Sequence, residues 1–183
     1  MSFQRQLIKH CRACGSEVLY RLPDDGDTKL RAICTECHLV HYENPLNVVG
    51  TVPHFGERVL LCKRNIEPRK GKWTLPAGFM ELGESTSEGA ARETSEEAGA
   101  HFKMGSLFTV MSVPRVGQVH LYFLAELENE QFDPGFETQE ARMFSETEIP
   151  WDDLAFRTVQ ETLKHYFADK KSGSFGVHTL NID

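Results

Sequence analysis

Four of the five cysteines in this 183-residue chain fall within the first 37 positions, as Cys11-x-x-Cys14 and Cys34-x-x-Cys37. These pairs of equal spacing, with 19 residues between them and a turn signal at Pro23–Asp27, constrain the N-terminal fold more than any other feature. A two-residue gap lets both thiolates of a pair turn toward one point, and two such pairs supply the four soft ligands of a tetrahedral zinc site. A disulfide framework needs an oxidising compartment. The opening stretch MSFQRQLIKHCRAC has neither the apolar core of a signal peptide nor the Ser/Arg-rich character of a transit peptide. A redox reading of one pair leaves the other unexplained. Cys11, Cys14, Cys34 and Cys37 are therefore expected to hold a structural Zn2+ in a closed site with no position open to substrate. His38 and His41 read as surface or packing residues. Cys62 lies in the apolar run Val59–Cys62 and reads as a buried strand residue.

The cysteine-rich segment ends where Asn44-Pro45 interrupts the pattern before an apolar run at Val48. We expect a zinc-bound module over 1–45 and a mixed α/β domain over 46–183. The second part reads as strands at Val48–Pro53, Val59–Lys63, Thr74–Gly78, Leu107–Val113, Val119–Leu127 and Ala141–Phe144. Helices are expected over Ser85–Ala98 and from Asp153 to about Asp169, and the tail from Ser172 has too little periodicity to assign. With 40% hydrophobic residues and no run of 18 apolar ones, the chain is expected to be a soluble, cytoplasmic protein with no membrane partner. A net charge of -7 excludes blanketing of nucleic acid by a basic surface, so nucleic acid is not an expected partner. The locally basic stretch Lys63, Arg64, Arg69, Lys70 and Lys72 reads equally as a solvated loop or as an anion-binding segment.

Residues 78–100 read GFMELGESTSEGAARETSEEAGA. Ser85 with Glu88 forms a capping box that starts a helix, and Gly99 stops it. Glu93, Glu96 and Glu97 then stand at i, i+3 and i+4 on one face, with Gly89 one turn earlier leaving that face open. Ala90, Ala91, Thr94 and Ala98 form a stripe of small residues for close packing on a sheet. Three acids on one face repel one another, so either solvent screens them or metal ions sit there.

Gly78-x5-Glu84-x7-Arg92-Glu93-x2-Glu96-Glu97-x-Gly99, seven specified residues in 22, resembles the Nudix box at every fixed position. Thr94 and Ala100 stand where that box usually carries aliphatic side chains. The pieces LLCKRN, GKWTLPAG and EARMF-SETEIP are similar to the segments flanking the box, and the cysteine module resembles a zinc ribbon found in one subgroup of the family, which includes a plant plastid FAD and ADP-ribose pyrophosphatase. The resemblance implies a Nudix fold of the α/β (α+β) class, a mixed β-sheet sandwiched between helices, with a small N-terminal zinc-ribbon β module.

The same resemblance implies Mg2+ or Mn2+ held by Glu93, Glu96 and Glu97 with the carbonyl of Gly78, Glu84 as an outer carboxylate and Arg92 orienting Glu93 or its neighbours. A loop acid after the box often acts as general base, with Glu140 the first choice and Glu137 the second. Arg64 and Arg115 are candidates for substrate phosphate. The implied reaction is cleavage of a nucleotide diphosphate derivative, FAD to AMP and FMN or ADP-ribose to AMP and ribose 5-phosphate, by a homodimer. NADH pyrophosphatases also join a ribbon to this box but carry a Ser-Gln-Pro-Trp element, which FTVMSVPRVGQVHLYF lacks. A reading of another class is a non-catalytic regulator that senses a nucleotide.

Overall fold

The computed structural model describes residues 7–182. The chain forms two compact units, Met1–Pro45 and Leu46–Asp183. In the first, β1 (Val18–Arg21), β2 (Arg31–Cys34) and β3 (Val40–His41) make an antiparallel sheet in the order β1-β2-β3. This unit contains few buried apolar side chains, mainly Ala32 and Ile33 with two of its cysteines, so its own core is too small to hold it shut unaided.

The second unit is built on an eight-stranded mixed sheet ordered β10-β5-β4-β9-β8-β11, with β6 paired to β5 and β7 to β4. Its strands are β4 (Leu46–Phe55), β5 (Arg58–Arg64), β6 (Trp73–Thr74), β7 (Ala77–Phe79), β8 (Phe102–Val113), β9 (Gln118–Leu127), β10 (Thr138–Phe144) and β11 (His178–Asn181). Strand alternation sends successive side chains to opposite faces. On β5, Val59 and Leu61 join the cluster around α2 (Arg157–Ser172), while Leu60 and Cys62 pack with Ala98 of α1 (Thr86–Ala98). On β9, Tyr122 faces the α2 cluster and Phe123 packs with Ala90 of α1. The sheet is thus sandwiched between two helices.

The α1 boundaries follow local chemistry. Ser85 Oγ accepts from the Glu88 N–H at 3.3 Å, and Glu88 Oε2 accepts from the Ser85 N–H at 2.8 Å. Gly99, left-handed at φ 58°, donates its N–H to the Ser95 carbonyl. Ala90, Thr94 and Ala98 are buried, and Thr94 hydrogen-bonds Thr51 of β4 at 2.7 Å across the helix–sheet interface. The hydroxyl that departs from the usual aliphatic residue therefore has a buried partner.

Several elements differ from the sequence reading: the strand expected over Thr74–Gly78 is two short strands, β6 paired to β5 and β7 paired to β4, and β8 starts at Phe102 rather than Leu107. α2 begins at Arg157, after short 3-10 turns at Glu146–Glu148 and Trp151–Asp153, and not at Asp153 as the sequence pattern suggests. The unassigned tail adds β11, parallel to β8, with His178 bonded to Asp169 of α2 at 2.8 Å. A four-residue edge strand fixed by a distant partner leaves almost no periodic signal of its own.

Candidate active site

In the first unit, the sulfur atoms of Cys11, Cys14, Cys34 and Cys37 all lie within 4.8 Å of one another. The separations Cys11–Cys37, Cys14–Cys34 and Cys14–Cys37 are 3.6, 3.4 and 3.6 Å. Zn–S bonds of about 2.3 Å in a tetrahedron require S–S edges of about 3.8 Å, so the donor set fits zinc with little adjustment. Backbone N–H groups of Ala13, Glu36 and Cys37 donate to Cys11 and Cys34 sulfur at 3.4 Å and so fix where those sulfurs point. Gly15 and His38, each following the second cysteine of its pair, are both left-handed, so the two knuckles turn alike. His41 is buried opposite Ala32, and His38 is exposed.

In the second unit, a cavity of about 680 Å3 is bordered by Gly78, Arg92, Glu93, Glu96 and Glu97 on one side and by Arg64, Glu137, His120 and Phe156 on others. Arg92 organises the acidic wall. Its Nε and Nη2 donate to the two oxygens of Glu84 at 3.0 and 2.9 Å, and Nη1 donates to Glu93 at 2.7 Å and to Glu96 at 3.2 Å. A fifth hydrogen bond goes from Nη2 to the Phe79 carbonyl at 3.2 Å, tying the helix to the end of β7. This fork holds the Glu84 carboxyl down to about 2, chiefly through the Arg92 hydrogen bonds.

Glu97 is treated oppositely by its surroundings. Burial pushes its carboxyl up to about 7, against the hydrogen bond that its Oε2 accepts from the Ala77 N–H at 3.1 Å, and the nearby charge of Glu93 adds to the rise. Burial also raises Glu93, while Glu96 is well exposed. Gly78 lets the Glu93 carboxylate approach the backbone: a Cβ there would displace that carboxylate. Gly89 has a similar role, since its missing Cβ leaves room for Glu84. The glutamate oxygens line one cavity but, unlike the cysteine sulfurs, do not converge within 4.8 Å as a set among the described residues. Arg92 Nη1 bridges Glu93 and Glu96, while Glu97 is held separately by the Ala77 N–H. Hard oxygen donors on a shared wall match Mg2+ or Mn2+ in kind.

The NUDIX domain model matches residues 45–167, and the Nudix N-terminal model, a zinc ribbon, matches residues 9–43. The chain belongs to the Nudix family. It is a Nudix hydrolase whose N-terminal unit is of the Nudix ribbon type. The crystal structure of a NUDIX hydrolase from Nitrosomonas europaea superposes with a TM-score of 0.91 at 48% identity, covering 96% of this chain and 99% of that one. An ADP-ribose pyrophosphatase of Methanocaldococcus jannaschii is 32% identical over 113 residues, 60% of this chain and 67% of that protein. The NAD-capped RNA hydrolase NudC of Vibrio parahaemolyticus is 24% identical over 169 residues, 90% of this chain. The match spans only 63% of that NudC's length.

Within this Nudix hydrolase, the cavity separates the residues that the sequence offered as candidates. Glu140 sits on β10 opposite Lys63, is exposed, and does not border the cavity; Glu137 does. Asn65 accounts for the difference, since its N–H donates to the Glu137 carbonyl at 2.7 Å and its side chain to the Phe136 carbonyl at 2.9 Å, clamping that loop to the end of β5. Arg115, in the 3-10 turn Pro114–Val116, is exposed and also lies off the cavity wall. Of the basic stretch Lys63 to Lys72, only Arg64 borders the cavity. It is buried, its Nε bonded to the Pro68 carbonyl at 2.9 Å and its guanidinium 5.2 Å from the Phe156 ring centroid. Gln118, His120 and Tyr122 also line the cavity. They stand at i, i+2 and i+4 on β9, a spacing that in sequence looks like any half-buried strand.

Among the described residues, no helix is long and apolar enough to cross a membrane.

Proposed function

We propose that this Nudix hydrolase cleaves the diphosphate of an adenosine-containing nucleotide derivative, ADP-ribose or FAD, to release AMP. The observation that carries the reading is that Glu93, Glu96, Glu97 and Arg64 border one cavity whose lining also includes the apolar and aromatic side chains Val48, Phe79 and Tyr122. A diphosphate at the charged end leaves the remaining space for a nucleoside, and the volume is of the size that holds such ligands.

Each residue has a separable task. A divalent cation, Mg2+ or Mn2+, at the glutamate wall supplies charge neutralisation for the diphosphate and acidity for the attacking water. Glu93, Glu96, Glu97 and the carbonyl of Gly78 would hold it. Arg92 and Glu84 fix where Glu93 and Glu96 point, and Arg64, oriented by Pro68 and Phe156, meets phosphate oxygens. Glu137 is preferred to Glu140 as the general base, because it borders the cavity from the loop that packs against the end of α1. Zinc in the ribbon is structural. A homodimer and a cytoplasmic setting complete the proposal, the reducing cytoplasm suiting four cysteines that serve as zinc ligands and not as disulfide partners.

ADP-ribose ranks first because the Methanocaldococcus jannaschii relative carries that activity in its name. FAD rests on the sequence resemblance to the plastid enzyme. A second reading, NADH-type dinucleotides, is favoured by the NudC match across both units. A panel of kcat/KM values for ADP-ribose, FAD, NADH and nucleoside triphosphates with Mg2+ tests the order. ADP-ribose or FAD should lead, and a tenfold lead for NADH would put the second reading first. Binding of nucleotides with no AMP released from any substrate would favour a non-catalytic sensor.

A further inference from the structure

The loop acid that borders the cavity sits on a turn held from both ends. Between β9 and β10 the chain runs through 128–137 without regular structure, so a side chain there has no fixed position unless the backbone is pinned. Asp133 donates its N–H to the carbonyl of Ala98, the last residue of α1, at 3.1 Å. Gly135 then lies against the backbone carbonyl of Glu96, so closely that a Cβ there would overlap that oxygen. The Thr138 N–H closes a tight turn onto the Gly135 carbonyl at 3.0 Å, and Thr138, which opens β10, pairs with Arg64 of β5. Phe136 and Glu137 are the two corner residues. Asn65, next to Arg64, takes up both of their carbonyls: its N–H donates to Glu137 at 2.7 Å and its side-chain amide to Phe136 at 2.9 Å.

We propose that Asn65 and Gly135 are positioning residues for the reaction, fixing the turn that presents Glu137 to the glutamate wall of α1. The inference rests on the reading of Glu137 as general base and adds the two residues that set its place. Phe136 and Glu137 are both exposed, so burial does little to fix them and the anchors of the turn must. Each anchor belongs to an element that carries the site. Glu96 supplies the carbonyl under Gly135 and also a carboxylate on the wall, while Asn65 adjoins Arg64, which borders the same cavity. Burial is the main cause raising the carboxyls of Glu93 and Glu97, and the negative charge of Glu137 adds to both, so the loop acid lies within electrostatic reach of that wall. A base that takes a proton from the attacking water must be held at hydrogen-bond distance from it, which a free loop does not do. A side chain at position 135 would push backbone against backbone, and loss of the Asn65 amide would leave the Phe136 carbonyl without its donor.

The test is steady-state release of AMP with Mg2+ from ADP-ribose or FAD, whichever the wild type cleaves faster. Asn65→Asp keeps the shape of the side chain and removes the donor; kcat should fall by about tenfold or more with KM within about threefold, because a base acts in the chemical step. Asn65→Gln, which retains an amide donor, should recover part of the rate. Gly135→Ala should cost on the order of 100-fold in kcat, the effect of moving a reacting group by about 1 Å. Added to Glu137→Gln, either change should lower the rate by less than about threefold more, since both act through that carboxylate. Should Gly135→Ala fail to fold, the Asn65 variants, at a half-buried position, carry the test alone. A kcat for Asn65→Asp within about threefold of wild type, or losses that multiply in full with those of Glu137→Gln, overturns this inference and leaves the general-base reading intact. Glu137→Gln working at the wild-type rate overturns both of these, and the diphosphatase reading then stands on Glu96→Gln and Glu97→Gln. Release of AMP from neither substrate by the wild type overturns all three.

Discussion

Gly78→Ala separates catalysis from folding more cleanly than removing a glutamate. A Cβ at Gly78 would fall inside the van der Waals envelope of the Glu93 carboxylate, overlapping both oxygens and the carboxyl carbon. Restoring ordinary contact requires the carboxylate to retreat by about 1 Å or more. The backbone at Gly78 is not left-handed, and the obstructing atoms end a flexible side chain, so the fold can accept the methyl group. The cost in stability should be under about 1 kcal/mol, a melting shift of at most about 2–4 °C for a chain of this size. Misplacement of a reacting constellation by about 1 Å costs on the order of 10²-fold, which at about 1.36 kcal/mol per tenfold is about 2.7 kcal/mol of barrier. We expect kcat/KM for AMP release to fall by roughly 100-fold, with a higher Mg2+ concentration needed for half-maximal rate. Gly78→Ala/Glu93→Gln should be little worse than Glu93→Gln alone, because the methyl group acts through that carboxylate. Activity within threefold of wild type, with normal melting, would refute the idea that the Gly78–Glu93 approach is part of the site.

Two further outcomes follow from the same coordinates. Glu97, raised from the usual 4.5 to about 7, binds a proton in the folded protein that the unfolded chain has released; its contribution is complete below about pH 4.5 and is lost as pH rises through about 7. In Mg2+-free buffer Glu97→Gln should therefore gain stability relative to wild type across that window, by on the order of 3 kcal/mol in denaturant melts; parallel pH profiles would show that the carboxyl is not desolvated. The purified protein should hold about one zinc per chain after mild chelation has stripped its hydrolytic metal, and Cys34→Ala should lose both zinc and thermal stability. Unchanged zinc content and melting in that variant would remove the ribbon assignment.

The parts legible in the sequence were those fixed by short-range geometry. Ser85 and Glu88 specify their capping box within one turn, Gly99 its left-handed cap, and the i, i+3, i+4 spacing of Glu93, Glu96 and Glu97 their common direction. Two Cys-x-x-Cys pairs likewise define their own knuckles. What remained hidden depends on distant partners. Glu137 and Glu140 are indistinguishable as loop acids until Asn65 clamps the preceding loop and the β10 register shifts between Thr138 and Glu140. Arg64 looks like one charge in a basic run until Phe156, 92 positions later, receives its guanidinium. The stripe Gln118, His120, Tyr122 has the alternation of a core strand, and only the arrangement of β4 and β7 beside it leaves that face bordering a cavity.

The central claim is that the glutamate face of α1 performs metal-assisted cleavage of a nucleotide diphosphate. Its most direct test is AMP release from ADP-ribose with saturating Mg2+, comparing wild type with Glu96→Gln and Glu97→Gln, each checked for a native melting transition. Both variants should keep the fold and lose about 10³-fold or more in turnover, since each replaces an ionised oxygen ligand with a neutral amide of the same shape. Folded variants that release AMP at the wild-type rate would contradict it and leave that face of the helix as solvated surface.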